Sequence, residues 1–145
     1  MEFPPKLSDG SFLKNLAPGD VIKCKVKFRD GKEEFKRLIV LTSKNGKTVL
    51  LATSTSNKFA QTRYFDKDSI YVQQGEEPAF NLPTYIQVHR VIECETKNLM
   101  SDFVKKKLDV LDKIDSGLLK KIVDKIKVSV TIEQSFIKRI LQDNQ

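Results

Sequence analysis

The stretch "VIKCKVKFR", residues 21–29, alternates strictly between apolar and basic side chains. In an extended chain Ile22, Cys24, Val26 and Phe28 point one way, and Lys23, Lys25, Lys27 and Arg29 point the other. This segment therefore predicts a strand with one buried face and one basic face. The β character persists beyond it. Asp30-Gly31 gives a turn, and "RDGKEE" reads as a loop. "RLIVLTS" (37–43) is a nearly continuous apolar strand. Asn45-Gly46 is a strong hairpin signal, and "TVLLAT" (48–53) is the returning partner. "SIYVQ" (69–73) and "TYIQVHRVIE" (84–93) read as further strands, with a loop over "GEEPAFNLP". Five or more short strands between turn signals predict a small, mostly antiparallel sandwich or barrel over residues 20–95. Residues 1–19, punctuated by Pro4, Pro5, Gly10, Pro18 and Gly19, form a lead-in with room for one helical turn at "SFLKNL".

The period changes after Glu95. In "SDFVKKKLDVLDKI", Val104, Leu108 and Leu111 recur at helical spacing, with Ser101 or Asp102 available as a cap. "SGLLKKIVDKIKV" carries a second stripe through Leu119, Ile122, Val123 and Ile126. Thr131 with Gln134 fits a capping box ahead of a third helix, "SFIKRIL". Residues 96–145 are thus expected to be a helical segment that packs on the β unit or extends it.

Charge narrows the partners. The chain has 145 residues and a formal net charge of +7. Residues 21–47 hold nine Lys/Arg against three Asp/Glu, so the basic side chains concentrate on one sheet face. Such a patch is either a solvated face or a site for a polyanion. The two cysteines, Cys24 and Cys94, lie outside any CxxC or Cys/His cluster, which argues against structural zinc and for buried free thiols. With no leader-like or membrane-spanning run, a cytoplasmic protein is expected.

P-loop, GxGxxG and GxSxG patterns are absent, and His89 is the only histidine. The remaining polar residues suit phosphodiester chemistry. RNA cleavage by its own 2′-hydroxyl needs no metal. It needs a base, a cation for the charge developing on phosphorus, and a donor near the leaving oxygen. Arg37 supplies a planar cationic fork at the entry to an apolar strand. "LLATSTSN" (50–57) ends a strand in hydroxyls. His89 titrates in the useful range, and Gln87 lies on the same strand face. Plainer roles stand beside these: a rim ion pair of Arg37 with Glu33 or Glu34, local turns for the hydroxyls, and a structural place for His89.

The order "PGDVIKCKVKFRDGKEEFKRLIVLTS", "KTVLLATSTSN", "FNLPTYIQVHRVIECE" resembles the MazF/PemK family of toxin endoribonucleases, over roughly residues 18–96. The resemblance implies an SH3-like β barrel with C-terminal helix, a homodimer without cofactor, and metal-independent cleavage of single-stranded RNA. It also implies an acidic antitoxin as partner. By position it makes Arg37 and Thr53 catalytic and Ser54 a substrate contact, and it matches Arg29 to Phe35 to a loop bordering the RNA. Arg29, Lys32 and Lys36 then become RNA-binding residues, and Thr55 and Ser56 become loop residues. Two departures stand out. Leu38 replaces the proline that follows the arginine, and Gln87 and His89 stand where some relatives carry Arg and Asp. Either His89 takes over the acid/base work, with Gln87 at the substrate, or the chain is a divergent, weak or inactive member. Two other functions stay open: a gyrase-poisoning barrel that grips a protein, and a basic barrel that binds nucleic acid without cutting it.

Overall fold

The structure is a computed structural model describing residues 16–27, 31–42, 47–56 and 69–144, with the side chains of Val26, Lys27 and His89 outside that set. It is mainly β. Strands β1 (Val21–Lys27), β2 (Glu33–Val40), β3 (Thr48–Thr55), β4 (Ser69–Val72), β5 (Thr84–Glu95) and β6 (Leu108–Leu111) form one sheet in the order β4-β5-β3-β2-β1-β6. Every neighbouring pair is antiparallel. Three helices complete it: α1 (Thr96–Val104), α2 (Ser116–Lys127) and α3 (Gln134–Asp143).

The alternation read in β1 holds: Ile22 and Cys24 are buried, and Lys25 is exposed. Val21 is also fully buried, from the opposite face. The reason is that the middle of the sheet is covered on both sides. One face carries Val21, Ile39, Leu41, Leu50 and Ala52, packed on Leu118, Ile122 and Ile126 of α2 and Ile137 and Ile140 of α3. The other carries Ile22, Cys24, Leu38, Val40, Val49 and Leu51 beneath Leu99 of α1, with Leu16 and Leu108 alongside. The continuous apolar run at 38–41 is what a strand buried on both faces requires.

Helix α2 follows its sequence closely. The Asp115 carboxylate accepts from the Gly117 N–H at 2.9 Å, capping the first turn. Leu118, Ile122 and Ile126 recur every four residues and form the buried stripe. Lys125 and Lys127 sit in the last turn, where the helix dipole favours cations.

The third helix forms too, but its expected capping box does not. Glu133 is the N-cap residue and makes no side-chain cap bond. The Ser129 hydroxyl instead accepts from the Thr131 and Ile132 N–H groups at 3.2 and 3.4 Å, turning the chain between α2 and α3.

Other boundaries move. The helix expected over 101–114 starts earlier, at Thr96, and stops at Val104. Lys106 then takes a positive φ of 61°, and "LDVL" becomes β6. β6 pairs with β1, Val21 opposite Leu111 and Cys24 opposite Leu108. The open edge of β1 thus takes up an apolar segment whose spacing also fits a helix. The segment after residue 95 is consequently not purely helical, since it contributes an edge strand. β2 begins at Glu33, so Glu33, Glu34 and Phe35 are strand residues and not loop, and β3 runs on through Thr55. The Asn45-Gly46 turn, the lead-in up to residue 15 and Asp30 lie outside the described residues.

Arg139 fastens α3 to the sheet. Its Nη1 meets Glu93 Oε2 of β5 at 2.8 Å, and its Nη2 donates to the Thr48 carbonyl and hydroxyl of β3, both at 2.9 Å. The Arg139 hydrogen bond, then that from Thr48, holds the Glu93 carboxyl below the usual carboxylate range.

Two stability effects are expected. Ile122→Ala removes a fully buried side chain from the α2 face and should cost about 2–5 kcal/mol in urea unfolding. Because the folded-state pKa of Glu93 is depressed, its contribution is present above its unfolded pKa and is lost as pH falls through the folded value. The gap in urea midpoint between wild type and Arg139→Met should therefore be open at neutral pH and narrow in acid.

Candidate functional site

The basic face of the sheet sits beyond the end of the helical layer. Lys23 stands opposite Arg37, and Lys25 opposite Phe35. All four share the face that carries Val21 and Ile39, by the two-residue strand period. Farther in, that face is covered by helix. Here it is open: Phe35 is 45% exposed, with Lys23 Nζ 5.1 Å and Lys25 Nζ 5.9 Å from its ring centroid.

The described ladder between β2 and β3 is short, with Ile39 opposite Ala52 and Val40 opposite Leu51. Next to it, Ser54 Oγ donates to the Arg37 carbonyl at 2.6 Å, a side chain standing in for the backbone ladder. A small cavity of about 110 Å³ lies here. It is lined by residues 34–37 of β2, by Ser54, Thr55 and Ser56, and by Leu82 and Thr84.

Arg37 is the unusual member. Glu33 pairs with Lys25 at 3.0 Å and Glu34 with Lys36 at 3.6 Å, so both carboxylates expected to neutralise it are engaged elsewhere. Among the described residues Arg37 has no ion pair, and its Nε is buried without a hydrogen-bond partner. An unsatisfied buried donor costs about 1–3 kcal/mol. Arg37 itself is among the residues that line the polar cavity.

Thr53 belongs elsewhere. It faces away from Ser54, as the strand period requires. Its hydroxyl donates to Gln87 Oε1 at 3.0 Å, across the Thr53–Gln87 register pair. The register then shifts: Ala52 is opposite Val91, so β5 carries three more residues than β3 between these pairs. This bulge holds His89 and Arg90. Thr53 and Arg90 line a second, wider and open cavity of about 550 Å³, together with Thr131, Glu133 and Phe136 around the start of α3.

Of the residues singled out from sequence, Arg37, Lys36 and Ser54 therefore come together at one cavity, and Thr53 and Gln87 pair at another place. Lys32 is exposed just ahead of β2. Arg29 and the His89 side chain lie outside the described residues. Thr55, assigned from sequence to a loop, is a buried strand residue in the Arg37 cavity. Leu82, Thr84 and Arg90 were not singled out, and Phe35 was named only as the end of the loop expected to border the RNA. For Phe35 the signal was available, since it lies two residues before Arg37 on one strand face. Arg90 depends on the bulge, which no local pattern marks.

The thiols are poor nucleophiles. Burial, with lesser contributions from Asp102 and Cys94, pushes Cys24 up to about 12, and burial also raises Cys94. Both are free. Among the described residues no three His, Cys, Asp or Glu side chains gather to hold a metal, and no helix is long and apolar enough to cross a membrane. No protein-family model matches the chain, and no curated protein matches it.

The thiol pair gives a direct check. At pH 8 a thiol reagent should label the half-exposed Cys94 slowly and Cys24 more slowly still, and label both at once in denaturant. Fast native labelling of Cys24 would contradict its burial.

Proposed function

We propose that the chain is a toxin of the endoribonuclease type, cutting single-stranded RNA without a metal through attack of the 2′-hydroxyl on the adjacent phosphorus. The observation that carries this reading is the Arg37 guanidinium, without an ion pair among the described residues and with a buried, unsatisfied Nε, in a residue lining a hydroxyl-rich cavity on a basic sheet face. A phosphate seated there would meet the Arg37 side chain that lines the cavity. As negative charge builds on the phosphoryl oxygens, the pre-placed fork stabilises it more than it stabilises the ground state. Thr55 and Ser56 are near enough to the cavity to donate to the same oxygens. Glu34 lines the cavity as well, and His89 sits in the β5 bulge; these are the candidates for moving the 2′-hydroxyl proton. Closure of the sheet into an SH3-like barrel, homodimer formation and an acidic antitoxin covering the basic face belong to the same reading.

A second reading has its own support. Thr53 is engaged with Gln87 and does not share the Arg37 cavity. That arrangement favours a module that binds nucleic acid through the basic face and leaves it intact.

Mixed-sequence RNA incubated with the protein in EDTA separates the two. Cleavage leaving 2′,3′-cyclic phosphate ends, lost by at least about 100-fold in Arg37→Ala, is expected if the site is catalytic. Intact RNA that is nonetheless bound, with affinity falling steeply as salt rises, selects the binding module. If RNA is neither cut nor bound, both readings fail. Within a cleaving enzyme, Thr55→Val should slow the rate more than Thr53→Val, because only Thr55 lines the Arg37 cavity.

A further inference from the structure

Phe35 is a large apolar ring left 45% exposed on a strand whose other end is fully buried. On its β1 side stand Lys23 and Lys25. On its β3 side it lines the Arg37 cavity, where Leu82 is a second exposed apolar wall, at 51%. Two exposed apolar side chains thus border a polar cavity, with cations on both sides of the ring. A purely solvated basic face has no use for that apolar surface. A ligand combining a flat apolar face with a negative charge uses all of it. Phe35 and Arg37 are two residues apart on one strand face, about 6.6 Å by strand rise. One nucleotide bridges that distance from phosphate to base.

Resting on the single-stranded RNA reading, we propose that Phe35 is a base-stacking subsite. The base of the nucleotide whose phosphate sits at Arg37 enters between Phe35 and Leu82, while Lys23 and Lys25 neutralise the neighbouring backbone. A base can reach the ring only when it is unstacked from its neighbours, so the subsite selects single strands over duplex. Stacking is indifferent to base identity, so Phe35 adds affinity and register without reading sequence.

The chain contains no tryptophan, so Phe35→Trp creates a single indole reporter at the site. Titration with a single-stranded 2′-O-methyl oligonucleotide, which lacks the attacking hydroxyl, should quench its emission as binding saturates. Phe35→Leu should weaken that oligonucleotide about tenfold, and Phe35→Tyr should restore it. An abasic sugar-phosphate strand of equal length should bind wild type and Phe35→Leu alike. Binding that Arg37→Ala abolishes, but that neither quenches the indole nor depends on Phe35, overturns the stacking subsite and leaves the RNA reading intact. Absence of any oligonucleotide binding overturns that reading and the subsite with it. A polyglutamate peptide that binds as tightly as the oligonucleotide and ignores Phe35→Leu overturns the subsite in favour of an acidic protein partner.

Discussion

The central strands are apolar on both faces along only part of their length, and the rest of the structure depends on that burial. Leu38, Ile39, Val40 and Leu41, with Val49, Leu50, Leu51 and Ala52, are at most 4% exposed. Surface of that kind must be covered from both sides, so α2 and α3 occupy one face and α1 the other. At Arg37 the chain turns polar and the cover stops. The same strands that anchor the core therefore project Lys23, Lys25, Phe35 and Arg37 from a rigid base, where a surface loop would hold them less firmly.

Rigidity matters for the electrostatics. A surface arginine normally finds a carboxylate, and such pairs contribute little. Around Arg37 the carboxylates are diverted, Glu33 to Lys25 and Glu34 to Lys36. The ladder position beside it is taken by the Ser54 hydroxyl, which donates to the Arg37 carbonyl, and the guanidinium Nε has no acceptor among the described residues. The folded state thus tolerates an unmet buried donor in a residue that lines a polar cavity. Lys25 and Lys36, although paired, are in partly exposed bridges that an anion with several charges can reorganise.

Much of the fold was legible in order along the chain. The alternation at 21–25, the run at 38–41 and the stripe read through Leu119, Ile122, Val123 and Ile126 each report a local period, and each became the expected element, although Leu118 is buried in α2 and Leu119 and Val123 only partly. The failures have physical causes. "LDVL" fits a helix stripe and a strand equally well, and the vacant edge of β1 decided for strand. Glu33 and Glu34 are polar and read as loop, yet they pair with Lys27 and Val26 of β1. The candidate site was less legible. Arg37 could be picked out by type and position, but Thr53 was joined to it only through the family resemblance, and in the structure its hydroxyl is engaged with Gln87.

The sequence by itself determined most of the segments that extend and those that coil, where the continuous apolar run lies, and that one sheet face would be basic. These properties come from residue period and composition, which act over a few neighbours. Only the tertiary structure decided which side chains meet. The register between β2 and β3 put Ser54 against Arg37, and the β5 bulge sent Thr53 to Gln87 and brought Arg90 to its cavity. Ion pairing between β1 and β2, and within β2, left Arg37 without a carboxylate partner among the described residues. Register, bulges and partner choice arise from contacts between residues far apart in the chain, and no local pattern encodes them.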